Sequence, residues 1–396
     1  MNPDLDLLQP YPFEKLRALL DGITPADKPR IALSVGEPKH DAPQFVLDAM
    51  IEKLRGVENY PSTRGAPELR DSIAQWLCNR FALNDAESLA AQHVLPVNGT
   101  REALFAIAQC LLDRTKNARD VLMPNPFYQI YEGAVLLAGC KPVFYNISAN
   151  ADDDIRAIDD KQFESCQLFY LCNPGNPTGS VLSPESLTYL IEKAQEHNFY
   201  IVGDECYSEI YRESNGAPTG LLQAANTMGN TSYKHCLVFH SLSKRSNLPG
   251  LRSGFIAGDH QVIEQFLLYR TYHGCSMSPP VQHASTVAWQ DEKHVKANRL
   301  AYDEKYDKVL NMLNPVIPVN KPAAGFYLWL TLPIDDKQFT QSMLREQNVA
   351  VVPGSYLGRE VNSINPGENH VRLALVAKSD ECIEATQRII DVIQKA

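Results

Sequence analysis

Short apolar runs recur along the first two thirds of this chain, and each stops at a cluster of polar or turn-forming residues. Val94–Val97 gives way to Asn98-Gly-Thr-Arg-Glu102, Val121–Met123 to Pro124-Asn-Pro-Phe-Tyr128, and Leu168–Leu171 to Cys172-Asn-Pro-Gly-Asn-Pro-Thr-Gly179. Phe199–Val202 gives way to Gly203-Asp-Glu-Cys-Tyr207, and Cys236–Phe239 to a loop running from Ser241 to Gly254. Helical periodicity fills the intervals, at 43–55, 67–81, 103–112 and 184–197; in the second of these Leu69, Ile73, Trp76 and Leu77 share one face. Continuous rather than alternating apolar runs belong to strands buried on both faces. Their alternation with helices predicts an α/β architecture, a mainly parallel sheet covered on both sides. Ser253–Ala257 is a further run of this kind, and Ile31–Val35 is a short strand that stops at Gly36. Ligands of such sheets sit beyond the carboxyl ends of the strands. Gly99, Phe127, Asn176, Asp204, Tyr207 and Lys244 all fall there.

The loop after Cys236–Phe239 carries the most chemistry. Lys244 and Arg252 lie eight residues apart among Ser241, Ser243, Asn, Pro and Gly. A lysine at the end of a buried strand can shed water and act as a nucleophilic amine. Hydroxyls and a forked guanidinium beside it are the groups that hold a phosphate. Together they point to pyridoxal phosphate (PLP) held as an imine; a solvated basic turn is the alternative reading of this segment alone. Gly99-Thr100, between a strand and a helix, can aim free backbone N–H groups at an anion, although many such glycines serve turning alone. Phe127 could stack on a planar ring, or simply pack on the next helix. Arg372 sits inside the apolar run His370–Leu375, where an unpaired guanidinium is costly. It calls for an anion, either a structural carboxylate or that of a substrate.

A net charge of −10 argues against general nucleic-acid binding and places any phosphate ligand in a local cationic pocket. The nine cysteines form no C-x-x-C pair, so neither a metal site nor a disulfide framework is indicated. Free thiols suit a reducing cytoplasm. Met1–Asp6 is acidic and lacks an apolar run, so no secretory leader is read, and no run approaches the ~20 residues of a membrane span. The expected organisation is an N-terminal arm with part of a small domain (1–44), a large domain (45–280) and a small α+β domain (281–396). The last of these is entered through one long helical stretch, about 280–313, and has strands at 325–330, 349–352 and 370–375 and a final amphipathic helix, 380–394. Tyr11 and Phe13 begin a short helix of the arm and, if exposed, would suit a partner subunit.

The ordered set Asn176-Pro-Thr-Gly179, Asp204-x-x-Tyr207, Ser241-x-x-Lys244, Arg252 and Arg372 resembles the fold-type I PLP aminotransferases of class I/II, over the whole chain. Four phrases, 11–20, 95–105, 124–133 and 239–254, are similar to the N-succinyl-diaminopimelate aminotransferases of bacterial lysine biosynthesis. The resemblance implies a seven-stranded large-domain sheet and a homodimer with shared active sites. It implies that Lys244 carries the cofactor as an imine and then moves a proton between substrate and cofactor, that Asp204 pairs with the pyridine nitrogen, and that Tyr207 and Asn176 hold the ring oxygen. Phe127 would take the stacking position, and Gly99, Thr100, Arg101, Ser241, Ser243 and Arg252 the phosphate. Tyr60 would reach the neighbouring subunit's phosphate, and Arg372, with Gly36 and Asn176, the substrate α-carboxylate.

One departure matters. Aspartate-specific relatives supply a second arginine from the partner subunit just before a Pro-Pro pair. In Arg270-Thr-Tyr-His-Gly-Cys-Ser-Met-Ser-Pro-Pro280 the nearest residue to that place is His273. A longer substrate with a remote succinyl carboxylate fits better, exchanging its amino group with 2-oxoglutarate; Lys39, Arg64, Arg245 and His273 are candidate cations for that carboxylate. Alternatives within the enzyme class are transaminases of N-acetylornithine, aspartate or aromatic amino acids, and a β-eliminating PLP lyase. A PLP-binding transcription regulator would need a basic helix-turn-helix ahead of the sheet domain, and the first forty or so residues do not read as one.

Overall fold

The computed structural model describes every residue of the chain except Ala149 and Ala396. Its strands are β1 (Ile31–Ala32), β2 (Val94–Val97), β3 (Asp120–Asn125), β4 (Lys141–Asn146), β5 (Cys166–Cys172), β6 (Tyr200–Asp204), β7 (Cys236–Ser241), β8 (Gly254–Gly258), β9 (Tyr327–Thr331), β10 (Val349–Ala350), β11 (Val352–Pro353) and β12 (His370–Ala374). Seven of them form one sheet in the order β2-β8-β7-β6-β5-β3-β4. It is mainly parallel, as expected; β8 alone runs antiparallel to both its neighbours.

Residues of each central strand alternate between two cores. Phe169, Val238 and Leu122 face one side, while Leu168, Tyr170, Leu237 and Phe239 face the other. Helices close both sides, so the strands must be apolar throughout, which is why they read as unbroken runs. Helix Pro184–His197 illustrates the local determinants. Ser183 caps it by accepting a hydrogen bond from the Ser186 amide (3.2 Å), Pro184 supplies a preset first turn, and Asn198 ends it at φ 58°.

Three expectations need correction. The edge strand β4 is absent from the sequence reading; it is only partly buried and contains Pro142, a residue that edge positions tolerate. The long helix expected at 280–313 is two, Pro279–Gln290 and Lys293–Leu313. Asp291 adopts an extended backbone between them, and its carboxylate accepts a hydrogen bond from the His294 amide (3.0 Å), which starts the second helix. The run 349–352 likewise divides. β10 pairs in parallel with β1, whereas β11 joins the antiparallel sheet β11-β12-β9. That sheet packs with Lys293–Leu313, Asp336–Gln347 and Ser379–Ile393 on a third core containing Leu310, Leu328, Phe339, Leu373 and Ile389. Among the described residues no helix is long and apolar enough to cross a membrane.

Candidate active site

The C-terminal ends of β2, β3, β5, β6 and β7 and the start of β8 lie on one edge of the large sheet, and a cleft of about 420 Å³ opens there. Gly36, Thr100, Arg101, Phe127, Asn176, Asp204, Tyr207, Ser241, Ser243, Lys244, Arg252 and Arg372 all line it. Twelve of the fourteen residues proposed from sequence for the chemistry therefore meet in one place, although they are drawn from positions 36 to 372; Gly99, just before Thr100, and Tyr60 are not in its lining. Lys244 follows β7 in a one-turn helix, Leu242–Arg245, and is half-buried. Its ammonium donates to the Gly36 carbonyl and lies 5.3 Å from the centre of the Phe326 ring.

Asp204 ends β6 and is buried. Its oxygens accept hydrogen bonds from neutral donors, the Tyr131 hydroxyl (2.7 Å) and the Cys206 amide (3.3 Å). Burial pushes its carboxyl above the ordinary range, and these bonds oppose that push. Burial also raises the Cys206 thiol well above its usual value, so Cys206 stays a neutral neighbour of Thr100 Oγ1 (3.1 Å) rather than a nucleophile.

The β2–helix turn is built for a close approach. Gly99 has φ 90°, a conformation that favours glycine, and a Cβ on it would run into the Arg252 guanidinium. Helix Thr100–Leu111 begins directly after it. Ser241 Oγ accepts from the Ser243 amide (3.1 Å), and Arg252, held by the Pro249 carbonyl (2.8 Å), is exposed at the cleft. Amides at a helix N-terminus, two hydroxyls and a guanidinium form an anion-binding corner. Phe127, at the wall, packs on Phe144 (5.0 Å), with the Arg359 guanidinium on its ring at 5.1 Å.

Arg372 is buried in β12, and its hydrogen bonds go to neutral acceptors, Asn176 Oδ1 (3.2 Å) and the Ser34 carbonyl (2.9 Å). Its Nε has no partner among the described residues. Neither acceptor is a carboxylate, so the guanidinium retains donors for an anion from outside.

The candidate cations for a remote carboxylate lie elsewhere. Arg245 is buried behind the site, pairing with Glu292 and donating to the Ala288 carbonyl (2.9 Å). Arg64 pairs with Glu264 (2.5 Å), and Lys39 with Glu37 (2.7 Å). The His273 ring stacks on Tyr269. Arg270 is fully buried against Glu102 (2.8 Å). Tyr60 is wholly exposed and lies outside the lining of its own chain's cleft. Tyr11 and Phe13, which would suit a partner subunit if exposed, are half-buried and line the cleft, with the Arg101 guanidinium 5.4 Å from the Tyr11 ring centre. The sequence reading missed Tyr128, Tyr131, Cys206 and Tyr327. Cys206 stands inside the Asp204–Tyr207 phrase, Tyr128 and Tyr131 inside the phrase 124–133, and Tyr327 inside the expected strand 325–330, but nothing in those segments marks these residues individually as part of the site.

Comparison with known proteins agrees with this geometry. The family model "Aminotransferase class I and II" matches residues 28–389. The chain is 28% identical to the LL-diaminopimelate aminotransferase of Maridesulfovibrio salexigens, over 97% of each protein. It is 29% identical to the aspartate aminotransferase of Pyrococcus abyssi, over 100% of this chain and 98% of that one. Among solved structures, an aminotransferase from Neisseria meningitidis Z2491 superposes with a TM-score of 0.94 at 43% identity, covering 99% of this chain and 100% of the other. The chain belongs to the class I and II aminotransferases, a PLP-dependent family of fold type I.

Proposed function

We propose that this aminotransferase exchanges the amino group of N-succinyl-LL-2,6-diaminopimelate with 2-oxoglutarate, giving N-succinyl-2-amino-6-oxopimelate and glutamate, in the synthesis of diaminopimelate and lysine. The observation that carries the chemistry is a pair of buried charges in one cleft with Lys244. Among the described residues, the hydrogen-bond partners of the Asp204 carboxylate and the Arg372 guanidinium are all neutral groups. A buried charge without a counter-charge is costly, so each is poised for a ligand of opposite sign.

The residues fit PLP. Asp204 suits a protonated ring nitrogen, the Gly99–Arg252 corner suits a phosphate, and Phe127 offers a ring face. When bound, PLP supplies a carbonyl for amines and an electron sink for the substrate Cα. Lys244 would hold it covalently and, once displaced by the substrate amine, move the proton at Cα. Burial keeps the Tyr207 phenol protonated, well above its usual range, so it serves as a hydrogen-bond donor. Asn176 would join it on the ring oxygen. Arg372 would grip the substrate α-carboxylate with two parallel N–H donors, beside Gly36. Tyr60, exposed on its own subunit, would complete the partner's phosphate site in a homodimer.

The narrow substrate rests on the phrases 11–20, 95–105, 124–133 and 239–254, and on His273 falling nearest to the place where aspartate-specific relatives carry an arginine. The relative named an LL-diaminopimelate aminotransferase supports a substrate with the same carbon skeleton. The test compares kcat/KM for N-succinyl-LL-diaminopimelate, unacylated LL-diaminopimelate, N-acetylornithine and aspartate, with 2-oxoglutarate as acceptor. The succinylated substrate should lead by at least tenfold; preference for any other overturns this reading while leaving the transamination chemistry intact.

A further inference from the structure

Tyr327 stands at a junction that neither the motifs nor the family assignment uses. It is buried in β9, and its backbone carbonyl accepts the Tyr306 hydroxyl (2.7 Å), which fixes the strand at that point. Arg372 pairs with Trp329 across the β12–β9 ladder, so Tyr327, two residues along β9, lies diagonal to Arg372 on the same face. Its ring centre lies 4.5 Å from the Arg372 guanidinium carbon. Its hydroxyl is 3.0 Å from the Tyr207 hydroxyl. Gly36, whose carbonyl receives Lys244, passes so close that a Cβ there would collide with this hydroxyl.

We infer that Tyr327 is a positioning residue with two separable parts: its hydroxyl orients Tyr207, and its ring holds the guanidinium of Arg372. The inference rests on the roles proposed above for Tyr207 and Arg372. If Tyr207 donates its proton to the cofactor's ring oxygen, its own oxygen is left as an acceptor. The only hydrogen-bond partner of the Tyr327 hydroxyl among the described residues is that oxygen. Tyr327 donating to Tyr207 polarises the second O–H, and chained hydrogen bonds strengthen one another. The deprotonated form of the cofactor–Lys244 linkage is thereby favoured. The ring acts on the other ligand. Its π-face attracts the guanidinium and keeps it in the plane that a carboxylate meets with both donors.

Two substitutions separate the parts. Tyr327→Phe keeps the ring and removes the hydroxyl; Tyr327→Leu removes both. The first readout is the visible absorbance of the PLP-loaded protein titrated with pH, and the second is calorimetric binding of 2-oxoglutarate to the same protein. In Tyr327→Phe the absorbance midpoint should move to higher pH, with 2-oxoglutarate binding within twofold of wild type. In Tyr327→Leu the midpoint should move as well, and 2-oxoglutarate should bind roughly fivefold or more weakly. A Tyr327→Phe midpoint equal to wild type overturns the hydroxyl's role. Equal loss of 2-oxoglutarate binding in both variants overturns the division of labour and leaves a general packing role. Should Tyr327→Leu not fold, Tyr327→Phe still decides the hydroxyl and Tyr327→His tests the ring. A wild-type protein whose absorbance does not titrate overturns the proposed Lys244–Tyr207 roles and this inference with them, a different outcome from loss of succinyl preference.

Discussion

At the scale of single residues, the cleft holds charges that the unliganded fold does not neutralise. Asp204 has consequences even without cofactor. Burial raises its pKa in the folded state, so its contribution to stability is fully present below the ordinary value of about 4 and is lost as pH rises through the folded value. The cofactor-free protein should therefore lose stability relative to Asp204→Asn as pH rises above about 4, as read from denaturant midpoints at several pH values. PLP should abolish most of that difference, because a cationic ring nitrogen would sit against the carboxylate. Arg372→Ala should lower kcat/KM for amino acid and oxo acid alike by roughly 100-fold, the scale of lost charge-assisted hydrogen bonds, while PLP absorbance stays unchanged. Unchanged kcat/KM would remove Arg372 from the substrate site. The motif residues were legible because their chemistry is local, a lysine between serines or an acid at a strand end. Tyr131 and Tyr327 were not, because the groups that give them meaning, Asp204 and Tyr207, lie 73 and 120 positions away.

At the scale of elements, the turn between β2 and helix Thr100–Leu111 brings the anion-binding corner together. Gly99→Ala would force a Cβ against Arg252 at a positive φ. It should weaken PLP retention tenfold or more, measured by dialysis against phosphate, with little change in secondary structure by circular dichroism. Wild-type retention would show that the corner is not formed by this turn. Central strands and their following helices were readable because burial on both faces leaves an unbroken apolar signature, and helix 67–81 matches the expected range residue for residue. β4 escaped notice because an edge strand need not be apolar throughout. The break at Asp291 escaped notice because helical periodicity continues on both sides of a two-residue interruption whose cap is visible only in three dimensions.

At the scale of the whole molecule, the proposed sharing of Tyr60 between sites requires two subunits. Exposed Phe45, Leu47, Ile51, Leu54, Val57 and Tyr60 follow one another along residues 45–60, a stretch of apolar surface suited to a second copy. If Tyr60 serves the neighbouring site, mixing inactive Tyr60→Ala and Lys244→Ala chains under subunit exchange should restore about a quarter of wild-type activity, since random pairing makes half of the dimers hybrid, each with one intact site. No recovery despite exchange would confine each active site to one chain. Lys244, Asp204 and Arg372 are proposed to make one transamination site for a succinylated diaminopimelate. The most direct measurement is stopped-flow absorbance of the PLP-loaded enzyme mixed separately with glutamate, N-succinyl-LL-diaminopimelate, N-acetylornithine and aspartate. The account predicts rapid conversion of the cofactor to its amine form by glutamate and the succinylated substrate, slow conversion by aspartate, and none in Lys244→Ala. Conversion fastest with aspartate or N-acetylornithine, or undiminished in Lys244→Ala, would contradict it.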